Sequence, residues 1–373
     1  MSVEADQRFM ALALTLGRRG LGNAWPNPAV GAVVVKDGVV VGRGWTQPGG
    51  RPHAEVEALR RAGAAARGAT LYATLEPCSH HGKTPPCVDA IAAAGIARVV
   101  SALEDPNPEI AGQGHARLTS QGIAVATGVC SDEARRAHAG HISRVRDGRP
   151  HVTLKLAVSA DGKAGLAGRK PAAITGELAR ECVQRMRAMN DAVVTGIGTV
   201  LADDPQLTCR LSGMEQRSPV RVVLDSALRT PVQSRLAASA TRTLDWVFVD
   251  EKAKPEHEAE LSAAGVEVLR VPGANGQLDL AAVMRGLAGR GVTRVMVEAG
   301  PILAAAFLEA DLVDEAALFC SPNPLGADGI DALEGLPLTA LTQSPKLRLV
   351  GSEQVGADAL QTYERRPSSR DGA

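Results

Sequence analysis

A chain of 373 residues is long enough for two domains of roughly 100–200 residues each. Its 41 basic and 41 acidic residues cancel, and aromatic residues make up 2 % of a chain that is 45 % hydrophobic. This excludes a nucleic-acid binder, which needs phosphate-neutralising charge and stacking rings, and a disordered chain; no apolar stretch reaches the ~18–20 residues a bilayer requires.

The chain opens Met1, Ser2, Val3, Glu4, Ala5, Asp6, without a basic segment, and the apolar run Ala11–Leu16 is too short for a secretory signal. Strands are expected at Val30–Lys36 and Thr70–Leu75, alternating with helices at Val56–Ala66 and Val88–Ala94. Arg146-Asp147-Gly148-Arg149-Pro150 carries a turn signal and a proline, and marks a junction. Beyond it, strands are expected at Val152–Ala157, Ala192–Gly196, Val220–Asp225, Trp246–Val249, Val266–Val271 and Arg294–Glu298. The intervening helices fall at Glu177–Met189, Leu280–Gly289 and Ile302–Ala310. Such alternation predicts α/β layers in both halves: residues 1–146, residues 151–365, and a tail at 366–373. Six cysteines (Cys78, Cys87, Cys130, Cys182, Cys209, Cys320) are too sparse for a disulfide scaffold, which suits a reducing, cytoplasmic setting.

The chemistry concentrates between His53-Ala54-Glu55 and Pro77-Cys78-Ser79-His80-His81-Gly82-Lys83-Thr84-Pro85-Pro86-Cys87. One histidine and two cysteines form a catalytic zinc pattern, with three protein ligands and a fourth position for water, whose pKa the metal lowers. Glu55 is the candidate proton shuttle, taking the water's proton and passing it to departing ammonia. His-x-Glu followed by Pro-Cys and a second cysteine is the signature of nucleobase deaminases, but Cys78 and Cys87 lie nine positions apart rather than three. A closed site completed by His80 or His81 is the alternative, and would leave Glu55 without a task. Pro85-Pro86 should place Cys87 at a helix N-terminus, where the dipole favours thiolate. Residues two apart on a helix diverge by about 200°, so His53 and Glu55 converge only if they straddle a helix start.

The long insert resembles the deaminase half of the bifunctional riboflavin-biosynthesis deaminase/reductases, as do Trp25–Gly31 and Asp105-Pro106-Asn107-Pro108. The resemblance implies a cytidine-deaminase-like three-layer domain in which His53, Cys78 and Cys87 hold Zn2+ and Glu55 is the acid/base. It also implies that Asn27, His80, Lys83, Asp105 and Asn107 contact a pyrimidine ribonucleotide.

In the second half, Thr195-Gly196-Ile197-Gly198-Thr199 lacks the third glycine of a dinucleotide fingerprint, and Gly300-Pro301 marks a strand-to-helix turn suited to phosphate. Leu154–Lys163, Thr199–Arg210, Val223–Ser226 and Val297–Pro301 are similar to the same family's reductase domain, which has a dihydrofolate-reductase-like fold and uses NADPH. By that resemblance Ala157, Ala173, Thr199, Asp203, Ser226, Gly300 and Pro301 bind the cofactor. Pro171, Arg187, Leu207, Arg210 and Glu298 bind the substrate, the two arginines gripping its 5′-phosphate. One place departs from the family: Pro171-Ala172-Ala173-Ile174-Thr175 stands where relatives carry Ser-x-Trp-Ile-Thr. The expected activities are deamination of 2,5-diamino-6-ribosylamino-4(3H)-pyrimidinone 5′-phosphate and NADPH-dependent reduction of the ribosyl side chain to ribityl. Two other readings remain: a zinc nucleoside or tRNA deaminase fused to an unrelated nucleotide-binding domain, and a non-enzymatic module built on structural zinc. The expected partner is a small-molecule ribonucleotide, with no nucleic acid and no membrane; homo-oligomerisation is left open.

Overall fold

A computed structural model of the chain describes residues 2–169 and 172–367. They fall into two units, Met1–Arg149 with Arg290–Thr293, and Pro150–Gly289 with Arg294–Ala373.

In the first unit the chain runs α1 (Val3–Gly17), β1 (Gly31–Lys36), β2 (Val39–Trp45), α2 (Ala54–Ala62) and β3 (Thr70–Ala73). It continues through α3 (Cys87–Ala93), β4 (Arg98–Ser101), α4 (Gln113–Ser120), β5 (Ala124–Thr127), α5 (Ser131–Ala137) and α6 (Ala139–Asp147). Ser2 starts α1 by accepting the Ala5 N–H at 3.3 Å. Among the described residues the sheet has five strands in the order β2-β1-β3-β4-β5, with β3, β4 and β5 parallel. Side chains alternate across it: Ala32, Val34, Leu71 and Val99 pack toward α2, α3 and α4, while Val33, Val35, Tyr72 and Val100 meet α1. Both faces are covered, giving the three layers expected. The expected helix Val56–Ala66 starts earlier and stops sooner, because Gly63 takes φ 54° and leaves only a 3-10 turn at Gly63–Ala66. The expected strand to Leu75 ends at Ala73, where the chain turns and the Thr74 hydroxyl accepts the Gly31 N–H at 3.1 Å.

The second unit contains β6 (His151–Val158), β7 (Lys163–Gly165), α7 (Glu177–Ala188), β8 (Ala192–Gly196), α8 (Ile197–Asp203) and β9 (Val220–Leu224). Then follow β10 (Asp245–Asp250), α9 (Glu258–Ala263), β11 (Val266–Val271), β12 (Gly273–Ala274), β13 (Gln277–Leu278), α10 (Leu280–Gly289) and β14 (Arg294–Glu298). The chain ends with α11 (Pro301–Glu309), β15 (Glu315–Cys320), β16 (Ile330–Asp331), α12 (Thr339–Thr342), β17 (Leu347–Val355) and β18 (Asp358–Arg365). The main sheet runs β11-β10-β9-β8-β14-β6-β15-β18-β17 among the described residues; β18 runs antiparallel to both its neighbours, β15 and β17, and every other pair is parallel. The parallel strands therefore end along one edge, where loops can gather around a ligand. Pairing reaches one residue into the expected tail, since the Arg366 N–H donates to the Lys346 carbonyl at 2.8 Å. Among the described residues no helix is long and apolar enough to cross a membrane.

Candidate active sites

His53 is the residue just before α2, with extended backbone (φ −68°, ψ 159°), and Glu55 lies in the first turn. The pair thus straddles the helix start. Cys87 is the first residue of α3, after the cap Pro86, and its N–H donates to Cys78 Sγ at 3.3 Å. His53 Nδ1 lies 3.3 Å from Cys87 Sγ and 3.6 Å from Cys78 Sγ. The ligand atoms of His53, Cys78 and Cys87 all fall within 4.8 Å of one another, and neither His80 nor His81 joins them among the described residues. One nitrogen and two sulfurs, partly buried, suit zinc with a fourth position left over. Hydrogen bonding to Cys87, with His53 and the Cys87 N–H adding to it, draws the Cys78 thiol down to about 4; its contact with Cys78, together with burial, pushes the Cys87 thiol up. Two thiols this close share one charge readily, and a dication is what lets both become thiolates. Burial raises the pKa of the Glu55 carboxyl, which is only 3 % exposed, in the direction a general acid needs.

Around this group, Asn27 is fixed by donating Nδ2 to the Gly50 carbonyl at 2.9 Å, and the same nitrogen lies 3.2 Å from His53 Nε2. His80 and Lys83 stand on the exposed loop between the cysteines, while Asp105 and Asn107 are half-buried in the loop after β4. Burial pushes the Asp105 carboxyl up, and its Oδ1 accepts the Asn107 N–H at 2.9 Å. Glu76, unassigned on sequence grounds, organises that loop. Its buried carboxylate accepts the N–H groups of Asp105, Gly112 and Gly114 at 3.0, 2.9 and 2.7 Å. An acid wedged between Leu75 and Pro77 at the end of a buried strand was the available signal.

In the second unit the proposed cofactor residues lie at the ends of parallel strands: Ala157 in β6, Thr199 after β8, Ser226 after β9, Gly300 and Pro301 after β14. Thr199 and Gly300 are neighbours, since a Cβ built on Gly300 would stand 3.6 Å from Thr199 Oγ1. Gly300 caps α11 and Pro301 is its first residue. Asp203 closes α8 and is exposed, and Ala173 is exposed; Pro171 lies outside the described residues.

Of the substrate candidates, Arg187, Leu207 and Arg210 line a cavity of about 510 Å³ together with Pro205, Gln206 and Arg235. Leu207 is buried and takes φ 52°, outside the usual range for leucine. Arg187 forms a two-pronged pair with Glu298, Nε to Oε2 at 2.9 Å and Nη2 to Oε1 at 2.8 Å, and Nη1 donates to the Thr208 carbonyl at 3.0 Å. Lys155 Nζ approaches Glu298 Oε1 to 4.0 Å. Although burial pushes it up, Arg187 and Lys155 hold the Glu298 carboxyl below its usual range. Lys155 itself is lowered by burial. A single charge inside the apolar strand Val152–Val158 was the signal for Lys155, and nothing in the sequence marked Arg235.

Comparison with known proteins agrees across both units. A family model described as the cytidine and deoxycytidylate deaminase zinc-binding region matches residues 3–103, and one described as the RibD C-terminal domain matches residues 150–361. The riboflavin biosynthesis protein RibD of Escherichia coli is 42 % identical over 366 residues, covering 95 % of this chain and 97 % of that protein. RibD of Aquifex aeolicus is 38 % identical, covering 97 % and 99 %. Among solved structures, RibD of Acinetobacter baumannii superposes with TM-score 0.87 at 36 % identity, covering 98 % of this chain and all of that one. A diaminohydroxyphosphoribosylaminopyrimidine deaminase/5-amino-6-(5-phosphoribosylamino)uracil reductase of Thermotoga maritima gives 0.84 at 36 % identity, covering 98 % and 99 %.

Proposed function

The chain belongs to the RibD family of riboflavin biosynthesis proteins, and from that premise we propose how its residues divide two reactions between two sites. It is a bifunctional enzyme, a zinc-dependent deaminase joined to an NADPH-dependent reductase. The deaminase occupies residues 1–146 and takes 2,5-diamino-6-ribosylamino-4(3H)-pyrimidinone 5′-phosphate. The reductase occupies residues 151–365 and converts the ribosyl side chain of the deaminated product to ribityl.

His53, Cys78 and Cys87 would hold zinc, which when bound would supply an acidified water as the nucleophile. Glu55 would take a proton from the nucleophilic water on its carboxylate and deliver it to the departing amine, a role supported by its burial and its place two residues from His53 in the first turn of α2. Asn27, His80, Lys83, Asp105 and Asn107 contact the ribonucleotide. In the second site NADPH supplies the hydride, and the protein's task is placement. Ala157, Ala173, Thr199, Asp203, Ser226 and the Gly300-Pro301 turn hold the cofactor. Arg187, Leu207, Arg210 and Glu298, with Pro171, hold the substrate. A cytoplasmic location belongs to the same proposal, and six free cysteines suit a reducing compartment.

The observation that carries this reading is the convergence of one imidazole and two thiols beside a buried glutamate, in a chain that spans the length of its relatives. The test is incubation of the protein with the diaminopyrimidine phosphate, with and without NADPH. Ammonia should appear in both cases, and NADPH should be oxidised only after it. Ammonia release that ignores zinc removal, or NADPH oxidation that ignores the nucleotide, would count against it.

A further inference from the structure

The cavity at Arg187 and Arg210 has a third basic wall, Arg235, which no feature of the sequence marks out and no family motif above includes. Its guanidinium is exposed and has no partner among the described residues, while its backbone is fixed. The Arg235 N–H donates to Asp204 Oδ1 at 2.8 Å, and Asp204 itself sits in a left-handed turn (φ 40°) at the end of α8. Behind the cavity lies Arg221, fully buried and paired with Asp245, Nε to Oδ1 at 2.8 Å and Nη2 to Oδ2 at 3.0 Å. Arg221 also donates to the Gln206 carbonyl at 3.4 Å and the Leu236 carbonyl at 3.1 Å. One buried side chain therefore ties the 205–210 loop, which carries Arg210, to the segment that carries Arg235.

The charge in this cavity is unbalanced. The nearby carboxylate, Glu298, is already engaged by Arg187 and Lys155. Burial, then the neighbouring charges of Arg187 and Arg235, lower the pKa of Arg210, a sign that the three guanidiniums repel one another. Holding like charges together costs stability unless an anion joins them, and a phosphate monoester carries ≈ −1.5 to −2 charge with three acceptor oxygens.

We propose that Arg235, mounted on Asp204 and braced by Arg221, completes a three-arginine cradle for the phosphate monoester of the reductase substrate. This rests on the reading of Arg187 and Arg210 as substrate residues. Arg235 adds a third guanidinium to the cavity lining, on a segment that Arg221 ties to the loop carrying Arg210. The same guanidinium chemistry would also suit the 2′-phosphate of NADPH, and the two sources are separable by experiment.

The experiment measures binding of ribose 5-phosphate and of ribose to the full-length wild type and to R235A, R235K and R210A, and binding of NADPH and NADH to the same proteins. R235A should weaken ribose 5-phosphate about 10-fold, equivalent to about 1.4 kcal/mol, and leave ribose unchanged. R235K, which keeps the charge and tests against misfolding, should recover part of the loss. The reductase KM for its nucleotide should rise with the same ratio while kcat holds. If R235A binds ribose 5-phosphate like wild type while R210A does not, the inference about Arg235 is overturned and the pocket reading stands. If both bind like wild type, the pocket reading falls with it. Weakened NADPH with unchanged NADH and ribose 5-phosphate would assign Arg235 to the cofactor and overturn the proposal.

Discussion

Arg187 and Arg210 share a cavity but not a situation. Arg187 uses three of its N–H groups inside the protein, whereas among the described residues the Arg210 side chain donates only to Gln206 Oε1, at 3.3 Å. Removing the Arg210 guanidinium would therefore delete the proposed phosphate contact without orphaning a buried partner. Arg210→Ala should raise the reductase KM for the nucleotide by about 10- to 150-fold, the worth of a charge-assisted hydrogen bond of about 1.5–3 kcal/mol, with NADPH affinity little changed. Arg187→Ala should do more, because it leaves the Glu298 carboxylate with Lys155 alone, 4.0 Å away. Breaking such a buried pair costs about 3–5 kcal/mol, so a lowered Tm should accompany the lost affinity. An Arg187→Ala protein with wild-type Tm would mean the pair is weaker than its geometry implies. At Ala173, exposed where the family pattern described above has tryptophan, Ala173→Trp should tighten NADPH by adding apolar contact. Steady-state kinetics with each ligand varied would show it, and unchanged NADPH affinity would mean that neighbours supply the missing surface.

Two glycines decide where the zinc helix lies. A Cβ on Gly42 would stand 2.2 Å from the Ala58 carbonyl oxygen, and one on Gly44 2.2 Å from that of Ala54. Strand β2 thus lets the backbone of α2 approach closely, and α2 carries Glu55 in its first turn with His53 as its cap. Gly44→Ala must push the start of α2 off the sheet, at about 1–3 kcal/mol or more for overpacking. Zinc content and ammonia release should fall together, while NADPH oxidation on deaminated substrate persists. Metal analysis beside both assays checks this; full zinc occupancy in Gly44→Ala would show that the ligands adjust independently of the helix. The same dependence explains why the start of α2 was not readable from periodicity alone, since it is set by contact with β2.

Across the chain, the separation of the ligand sets between the two units predicts separable activities. Glu55→Gln should abolish ammonia release and leave NADPH oxidation on deaminated substrate near normal; loss of both in a folded protein would refute two independent sites. The first unit also has an acid-sensitive joint. Asp6 on α1 accepts two hydrogen bonds from Arg98 on β4, at 2.9 and 2.7 Å, and one from the Tyr72 hydroxyl on β3 at 2.7 Å. The Arg98 hydrogen bonds, against burial, hold its carboxyl below the ordinary range. A depressed carboxyl stabilises fully above its unfolded pKa of about 3.9 and loses that contribution as pH falls through the folded value. Hydrogen-exchange protection of the Tyr72 and Arg98 amides should therefore decline on the acid side in wild type, after correction for intrinsic exchange. The decline should be shallower in Asp6→Asn, and identical slopes would remove Asp6 from the account.

The zinc-ligand group of the first site was legible in the sequence because metal ligation demands particular residue types: His53, Cys78 and Cys87, which the structure brings together, could be named without coordinates, as could the buried Glu55 proposed to move protons. The two proline residues before Cys87 likewise announced a helix start, and the core strands at 192–196, 266–271 and 294–298 were set by apolar runs. Strand β17 was not legible, since it lies at the sheet edge, is mostly exposed and carries no apolar alternation. The roles of Lys155, Glu76 and Arg235 were not legible for a different reason, although a lone charge in an apolar run marked the first two as unusual. Each takes its meaning from groups far along the chain: Glu298 beside Lys155, the loop N–H groups on Glu76, Arg187 beside Arg235. Apolar patterning and ligand chemistry are local properties of the chain, whereas the balance of buried charge is fixed only when strands and loops meet in space.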